Sequence, residues 1–205
     1  MKYKHLIFDI DGTLVNNEKA VIATWQETIT QLFGKHYEAP ELDFVLGIPG
    51  EISMRELGAK NPKVAFKTWS TNFKKHKSEI ELFPCIHALI LSLKDEGIKL
   101  GLVTSRTCDE LDNDYALADI IGYFDTIICV TDTPRPKPYP DSLFVYLEKC
   151  RISPNEALYI GDSHYDSLCA KGAKVDFGLA MWGESRNDSV DAKYYFRNPM
   201  DILTI

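Results

Sequence analysis

Downstream of Pro84, short apolar runs alternate with segments of helical periodicity, and few architectures accommodate that alternation. Strand signals fall at 98–104, 126–130, 157–160 and 175–181, with a further short one at 194–196. Between the first of these and Pro84, residues Ile86, Leu89, Ile90 and Leu93 recur at helical spacing until Gly97 stops them. The stretch Lys4–Ile10 adds a strand near the N-terminus. Strands separated by helices pair in parallel, so the expected fold class is α/β, a Rossmann-like, mostly parallel sheet covered by helices. At 205 residues and 45% apolar composition the chain can bury such a core and still carry a small insert.

That insert is legible as an interruption of the pattern. From Glu18 to Phe33, residues Val21, Trp25, Ile29 and Leu32 follow helical spacing, and Gly34 is a natural terminator. Pro40 starts a second helix carrying Leu42, Val45 and Leu46, and Gly47-Ile48-Pro49-Gly50 then forms a turn. A short helix ends near Gly58, and Asn61-Pro62 supplies the cap and first turn of another that carries Ala65, Trp69 and Phe73. No strand signal occurs through about Lys77. The reading is an α/β core of residues 1–15 plus 80–205, with a helical insert of residues 16–79.

In parallel α/β sheets, ligands collect at the carboxyl ends of the strands. The first strand runs into Phe8-Asp9-Ile10-Asp11-Gly12-Thr13-Leu14, which sets two carboxylates two residues apart. One such acid can hold a metal and attack an electrophile while the other shuttles a proton, as phosphoryl chemistry requires. The second strand ends at Thr104-Ser105-Arg106, the third leads toward Arg135-Pro136-Lys137-Pro138, and the fourth ends at Gly161-Asp162-Ser163-His164-Tyr165-Asp166. Acids, hydroxyls and a lysine whose backbone is restricted by flanking prolines converge on one edge. A calcium-loop reading of the first motif fails, because counting from Asp9 its glycine is fourth, not sixth, and its twelfth position is Ala20.

These residues, in this order, resemble the haloacid dehalogenase superfamily of phosphotransferases, whose four motif regions correspond to Asp9–Thr13, Thr104-Ser105, Lys137 and Gly161–Asp166. The insert resembles that superfamily's α-helical C1-type cap. The run Lys137-Pro138-Tyr139-Pro140-Asp141 resembles the phosphoglycolate phosphatase and β-phosphoglucomutase branch. The resemblance implies Asp9 as the nucleophile of an aspartyl-phosphate intermediate, and Asp11 as general acid–base with a metal-binding backbone carbonyl. The superfamily's dehalogenases lack the second acid, so Asp11 argues against carbon–halogen cleavage. It further implies Mg2+ supported by Asp9, Asp162 and Asp166, with Asp162 a direct ligand and Asp166 binding directly or through water. Thr104 would hold the transferring phosphoryl group through its hydroxyl and Ser105 through its N–H, while Lys137 neutralises that group and Asp9. Arg106, Arg135 and His164 stand beside the motifs without a required role. Arg55, the insert's only arginine, and the 47–50 turn are weaker candidates for substrate contact.

The implied activity is magnesium-dependent hydrolysis of a small soluble phosphomonoester. Two alternatives share the motifs: a sugar-phosphate phosphomutase, and a phosphate- or protein-binding module without turnover. Composition narrows the partners. Thirty acidic residues against 23 basic ones give a net charge of −7, and no long basic run exists to follow a nucleic-acid backbone. No apolar stretch of about 18 residues occurs, so no membrane span is expected. The N-terminal apolar stretch is interrupted by Asp9 and Asp11, which disfavours a signal peptide. Five cysteines, no two within four residues of one another, offer no zinc-type pair by spacing and fit a reducing, cytoplasmic setting.

Overall fold

The computed structural model describes residues 2–46, 48–112, 116–183 and 189–205. The chain divides into two compact units: Met1–Asn16 with Leu82–Ile205, and Asn17–Glu81.

The first unit is built on a six-stranded sheet. Its strands are β1 (His5–Phe8), β4 (Lys99–Val103), β5 (Thr126–Ile128), β6 (Ala157–Gly161), β7 (Asp176–Ala180) and β8 (Tyr194–Phe196). Two further short strands, β2 (Val15–Asn16) and β3 (Glu81–Leu82), lie where the chain leaves this unit and returns to it. The sheet order is β5-β4-β1-β6-β7-β8, and every pairing is parallel. The fold expectation holds, with each strand signal falling on a strand and most boundaries shortened by a residue or two.

The order has a consequence for the site. β1 is central, and the chain builds outward first through β4 and β5, then in the other direction through β6, β7 and β8. The direction reverses beside β1, at the carboxyl edge where such sheets bind ligands. Register makes this concrete: Phe8 is level with Leu102 on β4 and with Ile160 on β6, so the residues following these three strands emerge side by side.

Leu6, Ile7 and Phe8 are all fully buried, which means that both faces of β1 are covered and explains why its sequence is continuously apolar rather than alternating. On one face, Ile7, Val103, Ile128, Tyr159 and Phe177 pack against Leu143, Tyr146 and Leu147 of α6 (Asp141–Cys150) and Cys169, Ala170 and Ala173 of α7 (His164–Ala173). α4 (Ile86–Asp95) buries Ile86, Leu89, Ile90 and Leu93, the four positions its periodicity selects.

Beyond the core, Asp125 ties the edge of the sheet to α4. Its carboxylate accepts from Lys94 Nζ (2.9 Å), Lys99 Nζ (3.1 Å) and the Leu100 N–H (3.0 Å). Partial burial pushes its pKa up, but Lys94, the Leu100 amide and Lys99 outweigh that and hold it at about 2. An acid whose folded pKa is depressed contributes stability above its unfolded pKa and loses it as pH falls through the folded value. Asp125→Asn should therefore lower stability by about 1 kcal/mol at neutral pH after allowance for solvent screening. Urea denaturation should show that difference shrinking from about pH 4 down to about pH 2.

The second unit is helical: α1 (Glu18–Phe33), a 3-10 segment (Ala39–Val45), α2 (Gly50–Glu56), α3 (Pro62–Phe73) and a second 3-10 segment (Lys74–Glu79). α1 starts and ends where the periodicity places it, with Gly34 left-handed at its C-cap. The Asn61 side chain caps α3 by accepting from the Val64 N–H (3.3 Å). Pro40 opens a 3-10 segment rather than the expected α-helix. Of the predicted 47–50 turn, Gly47 lies outside the described residues and Gly50 already belongs to α2.

Its core gathers Trp25, Ile29, Leu42, Met54 and Trp69, with Phe66, Trp69 and Phe73 stacked along α3 at ring separations of 5.2 and 4.6 Å. The buried face of α1 is rotated from the one its apolar residues suggest: Leu32 is exposed, whereas Thr24 and Thr28 are fully buried. Burial of these hydroxyls is tolerated because both are bonded. Thr24 donates to the Ala20 carbonyl (2.6 Å), and Thr28 accepts from Asn72 Nδ2 on α3 (3.1 Å).

Candidate active site

The residues that follow β1, β4 and β6 meet as their register requires. Asp9 is nearly inaccessible to solvent, and its N–H donates to the Ile160 carbonyl (2.8 Å), which fixes the backbone of the first motif to β6. The chain then turns sharply, with the N–H groups of Thr13, Leu14 and Val15 all directed at the Ile10 carbonyl. Trp182, just past β7, donates its indole N–H to the Thr13 carbonyl (2.9 Å) and braces the turn.

Gly12 sits in the turn at φ +75°, and a Cβ there would lie 2.1 Å from Asp162 Oδ2. Only glycine lets the Asp162 carboxylate rest against this backbone. Gly161 serves the same purpose for Asp166, whose Cγ would stand 2.6 Å from an added Cβ.

Lys137 reaches into this space from the segment between β5 and α6 and is almost entirely buried. Its ammonium donates to Asp9 Oδ1 (2.8 Å), Asp166 Oδ1 (2.7 Å) and the Tyr159 hydroxyl oxygen (3.2 Å). Three N–H bonds meet three oxygens, which completes the donor capacity of a lysine. The loop that delivers it is held by Arg135, whose guanidinium grips Asp141 at 3.0 and 2.8 Å and stacks 4.4 Å from the Tyr139 ring centroid. Arg135 thus acts on loop structure.

Asp166 is fully buried and saturated with donors. Besides Lys137, its Oδ1 accepts from the Tyr159 hydroxyl (2.7 Å), while Oδ2 accepts from the Ser163 N–H (3.1 Å) and the Ser163 hydroxyl. The Ser163 hydroxyl in turn accepts from the Asp166 N–H, so the pair forms the capping box of α7. Tyr159 is the residue that the sequence reading missed. Strand alternation offered a signal, since it lies two residues before Gly161, on the same face of β6, and is a hydroxyl within an otherwise apolar strand.

Asp11 carries a second unforeseen contact. Both of its carboxylate oxygens are engaged by Arg106, with Nε to Oδ2 at 2.9 Å and Nη2 to Oδ1 at 2.6 Å. Arg106, which had no required role by sequence, therefore restrains one of the central acids through a two-pronged ion pair. Thr104 is buried, and its hydroxyl oxygen accepts from the Arg106 N–H (3.1 Å), which orients its own O–H as a donor. Ser105 is half-buried between them. His164 is exposed at the start of α7, and Arg55, in the second unit, is exposed on α2.

Charge dominates this site. Asp9, Asp162 and Asp166 each place a carboxylate oxygen within 4.8 Å of the others. Burial, reinforced by Asp166 and Asp11 and opposed by Lys137, pushes the Asp9 carboxyl up to about 7. Burial and the charges of Asp166 and Asp9 raise Asp162 well above the ordinary carboxylate range. Lys137 is pulled down by burial, but Asp166 and Asp9 prevail and hold it above the usual lysine value. Burial is the largest cause of both shifts, and on top of it one ammonium does not offset the repulsion among three clustered carboxylates. The donors are all carboxylate oxygens, a set suited to a hard divalent ion such as Mg2+, and a cation would supply the missing charge. Asp9 and Asp162 fit direct binding best, because the Asp166 oxygens are already taken by four donors.

The family model for haloacid dehalogenase-like hydrolases matches residues 6–180. A candidate pyrophosphatase PpaX of Clostridium perfringens is 29% identical, over 98% of this chain and 96% of its own. The pyrophosphatase PpaX of Bacillus mycoides is 23% identical, over 100% and 97%. Among solved structures, a candidate phosphoglycolate phosphatase from Lactobacillus plantarum superposes with a TM-score of 0.90 at 35% identity, covering 100% of this chain and 99% of that one.

Proposed function

The chain belongs to the haloacid dehalogenase-like hydrolases, and from that premise we propose that it is a magnesium-dependent phosphatase of a small phosphorylated metabolite, acting in the cytoplasm through an aspartyl-phosphate on Asp9. One observation carries the reading: a buried carboxylate at the end of β1 is held by the Lys137 ammonium at 2.8 Å within a cluster of hard oxygen donors.

In this reading Lys137 engages Asp9 Oδ1 and orients the carboxylate, so that Oδ2 attacks phosphorus. The bond to the leaving oxygen breaks, and Asp11 protonates that oxygen. Water then attacks the aspartyl-phosphate and gives its proton to Asp11, releasing inorganic phosphate and regenerating Asp9. The Thr104 hydroxyl and the Ser105 N–H would donate to the phosphoryl oxygens, and Lys137 would oppose the charge building on them. Asp9, Asp162 and the Asp11 carbonyl would hold Mg2+, with Asp166 acting through Lys137 or through water. Bound there, the ion would offset the repulsion between a phosphate dianion and the carboxylates. Asp11 must first leave the Arg106 fork, so substrate binding would have to displace or reshape that ion pair.

The second unit is read as a helical cap that selects the substrate. The pyrophosphatase relatives and the phosphoglycolate phosphatase neighbour support two compounds as first candidates, inorganic pyrophosphate and phosphoglycolate. A phosphate-release assay over these two with sugar and nucleoside monophosphates tests the proposal. With Mg2+ present at least one compound should be hydrolysed, and chelation should stop the reaction until excess Mg2+ restores it. Silence across the whole panel would sink the reading.

Asp11→Asn should lower kcat/KM, which reports the steps up to departure of the leaving group and not the later attack of water, on an alkyl phosphate by about 10²–10⁴-fold. The loss should be much smaller on p-nitrophenyl phosphate, whose leaving group departs without protonation. Equal losses on the two substrates would remove Asp11 from the acid role.

A further inference from the structure

Cysteine spacing along the chain excludes a metal-binding pair, yet folding assembles one. Cys108 opens α5 (Cys108–Asp112), four residues after Thr104. Cys129 directly follows β5. Because β4 and β5 are neighbours, the segments after them run together, and the Val130 N–H donates to the Arg106 carbonyl (2.9 Å). Here Cys108 Sγ, Cys129 Sγ and a carboxylate oxygen of Asp132 all lie within 4.8 Å of one another. Neither cysteine is in a disulfide. The group is held in shape by backbone, since Asp132 Oδ2 accepts from the Cys129 N–H (2.8 Å) across a 3-10 turn, Val130–Asp132. The Thr131 hydroxyl lies 3.4 Å from Cys108 Sγ. Cys108 and Asp132 are exposed and Cys129 is buried, so an ion reaches the group from solvent and meets an anchored inner ligand.

We propose that Cys108, Cys129 and Asp132 form a binding site for a thiophilic divalent cation of the Zn2+ class, chemically separate from the all-carboxylate cluster of Asp9, Asp162 and Asp166. Two thiolates and a carboxylate are a zinc-type donor set, and a solvent oxygen completes the tetrahedron. Zn–S bonds of about 2.3 Å in tetrahedral geometry put two sulfurs roughly 3.8 Å apart, so the side chains need to close by no more than about 1 Å. The hard-oxygen cluster and the thiolate cluster prefer different ions, so Mg2+ does not compete for this site. Binding displaces the two thiol protons, and affinity rises with pH. The site spans the segment carrying Thr104, Ser105 and Arg106 and the one leading to Lys137, so occupancy ties together two strand ends that feed the acidic centre.

Cd2+ titration of the full chain in excess Mg2+ tests this, because only thiolate ligation produces the ultraviolet sulfur-to-cadmium charge-transfer band. The wild type should develop that band to saturation at a single equivalent, and added Zn2+ should abolish it. Cys108→Ser, at an exposed position that leaves the core untouched, should weaken Cd2+ binding at least tenfold, as should Cys129→Ser. Cys85→Ser, at another exposed cysteine, should leave the titration unchanged. Absence of the band in the wild type, or a titration by Cys108→Ser indistinguishable from it, would overturn the proposal.

Discussion

Asp9→Asn should reduce phosphate release by at least about 10³-fold with every substrate that the wild type hydrolyses, while the protein still folds. An amide oxygen can still accept from Lys137, but it is too poor a nucleophile to form the phosphoenzyme, and no neighbouring group substitutes for it. Asp162 rests against the Gly12 backbone, and both Asp166 oxygens are occupied by donors. The same variant carries a stability signature with a definite sign. Burial raises the Asp9 carboxyl from 3.8 to about 7. An acid with a raised folded pKa binds its proton more tightly in the native state, so the stability of metal-free protein falls as pH rises between those two values. The asparagine has no proton to lose. Compared by urea unfolding without metal, the variant should gain on the wild type from pH 4 to pH 8. Residual activity near the wild-type level would dismiss Asp9 as the nucleophile. A stability difference independent of pH would dismiss the electrostatic account of its burial.

Lys137→Ala should be the most damaging single substitution for stability among the site residues. It removes the ammonium that faces Asp9, Asp166 and Tyr159 at 2.8, 2.7 and 3.2 Å in a fully buried setting. Breaking a buried ion pair from one side leaves uncompensated charge and costs about 3–5 kcal/mol. Turnover should fall too, by about 10²-fold or more, because a fixed positive charge at the phosphoryl position is lost. Lys137→Arg should rescue neither property. The site presents three converging oxygens to a compact three-donor head, whereas a guanidinium is planar, larger and forked. Denaturant unfolding and kcat measured on both variants check this. An arginine variant of wild-type stability and rate would mean that the pocket reads charge alone.

Much of this was legible in the chain. Parallel strands buried on both faces leave continuous apolar runs, so β1, β4, β6 and β7 stood out, and the chemistry had to lie just beyond them. The limits of α1 and the Asn61 cap of α3 were equally local, resting on Gly34 and on a side chain three residues from the amide it caps. Mispredictions arose where tertiary partners override local pattern. α1 turned toward Thr24 and Thr28 because Asn72 reaches Thr28 from another helix, and Leu32 was left exposed. Arg106 has no required role by its place beside the motif, yet it grips Asp11 across 95 positions of sequence.

The sequence by itself determined the fold class, the helical interruption after the first strand, and the identities of Asp9, Asp11, Thr104, Lys137, Asp162 and Asp166 as candidates. The fold class and the interruption follow from periodicity, Asp9 and Asp11 from their place at a strand end, and the choice of Thr104, Lys137, Asp162 and Asp166 from the motif resemblance; all are properties of short windows. Which side chains pair was decided only by the tertiary structure. The order β5-β4-β1-β6 brings Lys137 between Asp9 and Asp166, sets Arg106 on Asp11, and gathers Cys108, Cys129 and Asp132. That order depends on how helices cover both faces of the sheet, a free-energy balance over the whole core that no local pattern encodes.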